Sequence, residues 1–227
     1  MKKFVSKFLL GPKLVYILKE QEKDIILSEK VSDAMVPKYF FDLSFRVEIP
    51  TREQWSTGDL MEYPDALKYY HDGSKTKDGT GFGVHGAFEI SRNMSNLATV
   101  FQAEAKALAT CAKHIFAQNV EGRNIIIYSD SQSLLKALSK HKVISKCVYE
   151  CKTYLEALGE KNFVKVIWIP GHEGYVGNEK ADVLAKRGAA NVQDLYRVQC
   201  ELSTQVSRAR IKSCLTDAAT SEWTKKN

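Results

Sequence analysis

No stretch of this 227-residue chain approaches the about 20 consecutive apolar residues that a membrane-crossing helix requires, so no spanning segment is expected. The opening MKKFVSKFLLGP has the positive end of a secretory signal. Its apolar part is interrupted by Lys7 and closed by Gly11 and Pro12, and no small-residue cleavage site follows. Cysteine is scarce and unpatterned. Cys111, Cys147, Cys151, Cys200 and Cys214 form no C-x-x-C pair and no Cys/His ligand spacing, which argues against a zinc module or a disulfide framework. An odd count of such residues reads as reduced thiols in an intracellular protein, in cytoplasm or nucleus. Basic residues outnumber acidic ones by a net +6, but nowhere mass into a nuclear-localisation run or a basic arm. That bias fits a polyanionic partner without demanding one.

What is present is ordinary globular material. Hydrophobic residues make up 44% and charged residues 26%, and the length suits one well-buried domain with appendages. Residues 1–63 hold short apolar runs at Leu14–Leu18 and Asp24–Leu27 and an aromatic run at Tyr39–Ile49, punctuated by Pro37, Pro50 and Pro64. They read as an N-terminal extension with no assignable chemistry. Residues 64–190 read as the main domain, and 191–227 as a C-terminal extension, partly helical over Val206–Trp223.

From Asp65 the pattern sharpens. Leu67–Asp72 is strand-like and stops at Gly73-Ser74; Gly81–Ile90 supplies a second strand and the early nineties a third. Phe101, Ala105, Leu108, Cys111, Ala112 and Ile115 give the three-four spacing of a helix over 100–118. Asn124–Tyr128 is wholly apolar, as in a strand buried on both faces. Helices are expected from Ser133 to Leu138 and from about Ile144 to Leu158, then a strand over Phe163–Ile169 with Trp168 in the core. Pro170, Gly171, Gly174 and Gly177 keep the next residues irregular. Asn178 stands where a helix N-cap would, with Ala181, Leu184 and Ala185 on the buried face. The order predicts an α/β fold: a mixed sheet with helices on its faces.

Four acids stand at telling places in that order. Asp72 and Asp130 lie at carboxyl ends of strands, and Glu104 and Asp182 lie in the first turns of helices. Ligand sites in open α/β sheets gather at that edge. Close carboxylates repel unless a cation resolves them, and hard oxygen donors that leave room for water and phosphate oxygens suit Mg²⁺. Two such ions about 4 Å apart can hold an attacking water and a leaving oxygen in line, which points to phosphodiester hydrolysis. Singly, each acid has a plainer reading as turn residue, dipole partner, cap or solvated side chain. Jointly, in this order, those readings lose. His71, His85, His114 and His141 read as structural or solvent-facing.

The motifs Tyr-His-Asp72-Gly-Ser, Gln-Ala-Glu104-Ala-Lys-Ala-Leu, Tyr-Ser-Asp130-Ser-Gln-Ser and Gly-His172-Glu-Gly…Gly-Asn178-Glu-Lys-Ala-Asp182 resemble type 1 ribonuclease H over residues 65–190. Their flavour is similar to the ribonuclease H domain of non-LTR retrotransposon polyproteins. The resemblance implies a five-stranded mixed sheet that binds two Mg²⁺ (or Mn²⁺) and cuts the RNA strand of an RNA–DNA hybrid. It implies that Asp72 bridges both ions, that Glu104 and Asp130 hold the one on the leaving-group side, and that Asp182 holds the one activating water. His172 would assist proton transfer or product departure. Main chain at Gly73 and Ser74, with Gln132, the Glu104 carboxylate and Asn178, would meet the substrate, the 2′-hydroxyls being what marks RNA. A reverse transcriptase domain of the parent polyprotein is the implied partner. Thr99-Val-Phe-Gln102 replaces the Asn-rich run of cellular members, and no basic helix is inserted between Asp130 and His172. The alternative is a catalytically inactive, nucleic-acid-binding remnant of such a polyprotein.

Overall fold

A computed structural model of the chain describes residues 32–57, 63–209, 212, 213, 216 and 220. The runs Leu14–Leu18 and Asp24–Leu27 lie outside these, as does much of the C-terminal helix expected over Val206–Trp223. The chain divides into two compact units, one of residues 33–200 and one made up of residues 1–32 and 201–227. The described part of the terminal unit holds a Ser32–Leu202 bridge and a helical stretch at 204–209. All that follows concerns the larger unit. Among the described residues no helix is long and apolar enough to cross a membrane.

The larger unit runs β1 (Ala34–Tyr39), β2 (Phe45–Glu48), α1 (Arg52–Thr57), β3 (Leu67–Lys75), β4 (Thr80–His85), β5 (Glu89–Met94), α2 (Val100–Ala117), β6 (Asn124–Ser129), α3 (Gln132–Leu138), β7 (Lys142–Ser145), α4 (Lys146–Gly159), β8 (Phe163–Trp168) and α5 (Val176–Ala190). The main sheet has the order β2-β8-β6-β3-β4-β5. Strands β3, β6, β8 and β2 are parallel, and β4 and β5 are antiparallel. The mixed sheet is as expected, but it has six strands where five were implied. The sixth is β2, drawn from the aromatic run before residue 64, and it covers the outer edge of β8, which would otherwise present a row of unpaired backbone groups. Lys165 of β8, buried in the sheet, pairs there with Glu48 of β2.

Local chemistry explains the elements. Ile125, Ile126 and Ile127 are fully buried in β6, which lies mid-sheet between β8 and β3. Helix α2 starts with a capping box: Gln102 N–H donates to Thr99 Oγ1 and the Gln102 side chain accepts from Thr99 N–H. The stretch expected as one strand over Gly81–Ile90 turns at residues 86–88 into β4 and β5. The helix expected from Ile144 begins at Lys146, because Ser145 caps it and residues 142–145 pair with β1 in a second, two-stranded sheet. Helix α5 begins at Val176 after Tyr175, not after Asn178, which lies in its first turn. The four described cysteines are buried, and none of them forms a disulfide.

The faces follow from the register. Gly73 stands opposite Phe82, and a Cβ on Gly73 would meet the backbone of α2. Asp72 stands opposite Gly83, and a Cβ on Gly83 would lie 2.3 Å from the Ala181 carbonyl of α5. Helix α2, with α4 against it, therefore covers one face, and α5 covers the other. Replacing Gly83→Ala should cost about 1–3 kcal/mol, since α5 must back away from β4. Thermal denaturation measures this; an unchanged midpoint would show that α5 does not rest on that backbone.

Candidate active site

The site arises where β3 outlasts its neighbour. Leu67–His71 pair in parallel with Ile125–Ser129, after which β6 ends and β3 continues against β4 alone. The residues next in line, Asp72 and Asp130, thus arrive side by side at the carboxyl edge. Asp72 shares its face with Gly83, the face covered by α5, which carries Asp182. Glu104 comes from α2. Without a Cβ at Gly73 that helix can lie directly on the strand, and a methyl group there would sit 2.6 Å from Glu104 N. Asp72, Glu104 and Asp130 each offer an oxygen within 4.8 Å of the others.

Burial and mutual repulsion dominate the electrostatics. Asp72 is pushed up to about 9, by burial first, then by Glu104, Asp130 and Asp182, against one hydrogen bond from Gly73 N–H. Glu104 is pushed up to about 8 by burial and by Asp130, against hydrogen bonds from Asp72 and Gly73 N–H. Bare, this corner holds protons that ordinary carboxylates release. The donors are all carboxylate oxygens, and Glu104 Oε2 is buried with no hydrogen-bond partner. That set fits a hard divalent cation.

Asp130 is held from several sides. Trp168 Nε1 donates to its carbonyl at 3.1 Å, and Asn178 Nδ2 approaches its Oδ2 at 3.4 Å. The loop after β8 passes close above, so a Cβ on Gly171 would meet Oδ2 at 2.8 Å. Asp182 lies outside the group of three, yet near enough for its charge to raise Asp72. It accepts from Lys186 Nζ at 2.7 Å, one helical turn later. His172 is exposed on the loop between β8 and α5, with φ of 58°. Of the other sequence-selected residues, Gly73 turns its N–H to the carboxylates, and Ser74 lies one residue further along β3. Gln132 opens α3 half-buried, its Oε1 accepting from Lys136. Asn178 is buried beside Asp130.

Two features escaped the sequence reading. The segment before residue 64 touches the histidine loop: Trp55 Nε1 donates to Trp168 O at 3.1 Å, the Trp55 ring meets Tyr175 edge-on at 5.3 Å, and Arg52 pairs with Glu173. No local signal marks such a brace. The other is His71, expected to be structural or solvent-facing: it is fully buried, with Nδ1 3.4 Å from Glu104 Oε2.

A carboxylate group at the carboxyl edge of a mixed sheet, beside a glycine-rich histidine loop, defines the class as an α/β scaffold whose clustered acids could hold a metal ion. The family model described as RNase H matches residues 64–190, and the chain belongs to that family. Among solved structures, it is similar to the N-terminal RNase H domain of rv2228c from Mycobacterium tuberculosis, solved as a fusion with maltose binding protein. The identity is 19%, the TM-score is 0.42, and the match covers 54% of this chain and 99% of that one. No match is found among curated proteins. The fold is RNase H-like, with the added strand β2.

The raised carboxyl groups fix a pH dependence. In the folded, metal-free chain Asp72 and Glu104 keep protons to about 9 and 8, whereas unfolded they lose them near 4. The folded state therefore binds more protons, and their contribution to stability is full below about 4 and lost as pH rises towards 8–9. His71 acts oppositely, its pKa lowered by burial from 6.5 to about 4, so it offsets part of the slope below 6.5 only. In EDTA the melting temperature should fall from pH 6.5 to 8, and saturating Mg²⁺ should flatten that fall. A metal-free melting temperature that climbs across this window would contradict the assignment. The brace is tested separately. Trp55→Ala should speed amide hydrogen exchange across residues 169–175 by at least severalfold while leaving strands β3 and β6 protected.

Proposed function

We propose that this chain hydrolyses the RNA strand of RNA–DNA hybrids. The observation that carries the reading is the convergence of Asp72, Glu104 and Asp130 on one sheet edge, with Asp182 beside them, in a member of the RNase H family. These four residues would hold two Mg²⁺ ions, with Mn²⁺ as a substitute, which would supply the activated water and the stabilised leaving oxygen.

The chain's own groups do the remaining work. The close sheet-and-helix packing at Gly73 fixes Glu104 beside Asp72, so little reorganisation is needed to gather the donors. Asn178 and Trp168 orient Asp130 through its carboxylate and its carbonyl. Lys186 balances Asp182, one charge for one charge, until a ligand takes its place. His172, on its exposed loop, would move a proton or help product leave. Gly73, Ser74 and Gln132 would meet the hybrid, with contacts to 2′-hydroxyls selecting the RNA strand, whereas Asn178, buried against Asp130, would act through that carboxylate. Retroelement origin, and a reverse transcriptase domain as partner within a parent polyprotein, are supported by the motifs around Glu104 and His172.

The test uses the purified chain, a labelled RNA–DNA hybrid, and Asp130→Asn beside it. The expected result is cutting of RNA only, dependent on Mg²⁺, abolished by EDTA and reduced at least a hundredfold in Asp130→Asn, as for loss of a principal electrostatic stabiliser. No cutting by a chain that circular dichroism shows to be folded would favour the inactive remnant.

A further inference from the structure

His71 is a titratable side chain at the site that the catalytic reading leaves unused. It lies on the α2 face of β3, between Tyr69 and Gly73, and its register partner on β4 is Val84. Tyr69, Phe82 and Val84 are buried apolar residues of the core. An aliphatic side chain at position 71 would bury there at no polar cost, whereas the imidazole brings two nitrogens. Among the described residues both nitrogens are buried without a hydrogen-bond partner, and so is Glu104 Oε2. The unpartnered oxygen stands 3.4 Å from His71 Nδ1. A neutral imidazole has one N–H to place and a carboxylate oxygen has a lone pair to fill, so the two orphans complement each other. The separation is a little long for a formed hydrogen bond, as polar contacts in unliganded sites often are before a ligand draws them together.

We propose that His71 is a positioning residue: its ring Nδ1–H donates to Glu104 Oε2 and holds that carboxylate in orientation to bind a divalent cation. The inference rests on the reading of Glu104 as a ligand. It gives His71 the place of an outer partner that fixes a ligand's rotamer, a role whose loss typically costs roughly 10–100-fold in metal affinity. The Glu104 side chain is then fixed by Gly73 N–H and Asp72 at one end and by the ring at the other.

The experiment compares the full-length wild type with His71→Leu, which keeps bulk and removes the donor, and with His71→Asn, whose amide nitrogen can stand near the Nδ1 position. Mn²⁺ affinity is read by calorimetry without nucleic acid, and kcat and KM are read separately on the hybrid. Expected are a roughly tenfold or greater loss of Mn²⁺ affinity and a lower kcat with unchanged KM in His71→Leu, and substantial recovery in His71→Asn. A merely structural histidine would show neither the split nor the rescue. Mn²⁺ binding by His71→Leu equal to wild type, or His71→Asn as impaired as His71→Leu, would overturn the proposal. Should His71→Leu not fold, nitrogen-15 shifts of the wild-type ring during a Mg²⁺ titration decide: Nδ1–H supports the assignment and Nε2–H overturns it. A wild type that binds no Mn²⁺ and cuts no hybrid removes the carboxylate reading as well, whereas an active wild type with an unaffected His71→Leu removes only this one.

Discussion

Three carboxylates in one desolvated corner cannot all ionise without a counter-charge, and the packing around the site is what forces them together. The cost is visible in Asp72 and Glu104, both of which hold protons far above the usual carboxylate range. A fold selected for stability alone would place apolar residues there. The surrounding structure tolerates the arrangement because it is over-determined: parallel register fixes Asp72 and Asp130, a missing Cβ fixes Glu104, and an indole and an amide fix Asp130 again. Such concentration of local cost at a functional edge is the usual sign of preorganisation.

The same edge was the most legible part of the sequence. Asp72, Asp130 and Glu104 could be placed because strand ends and helix starts are local events, marked by Gly73-Ser74, by the Ile125–Ile127 run and by the three-four spacing of α2. The capping box at Thr99 and Gln102 was equally local. Those residues start the helix that presents Glu104. Asn178 shows how a local signal can suggest one role and the fold supply another. A polar side chain before an apolar stripe reads as a cap, but here the helix starts two residues earlier and the amide reaches Asp130.

What the sequence hid was non-local. Nothing in Phe45–Glu48 announces that it will lie parallel to β8, and nothing in Trp55 announces that its ring will meet Tyr175. Such pairings are set by which edges and grooves the rest of the fold leaves open. His71 was hidden for a related reason. Alternation put it on the buried face, but its relation to Glu104 depends on how closely α2 lies on the strand, a distance set by the absent Cβ of the next residue.

Strand β2 has a consequence for where this domain can be cut. The family match begins at residue 64, beyond the end of β2. A chain trimmed to that boundary would bare the outer backbone edge of β8 along Val164–Ile167, a short run of largely β-branched residues with Lys165 as its single charge. Unpaired edges of that composition are templates for pairing with another copy. Strand β2 covers that edge, and colloidal behaviour, before any loss of chemistry, would be where its removal first shows.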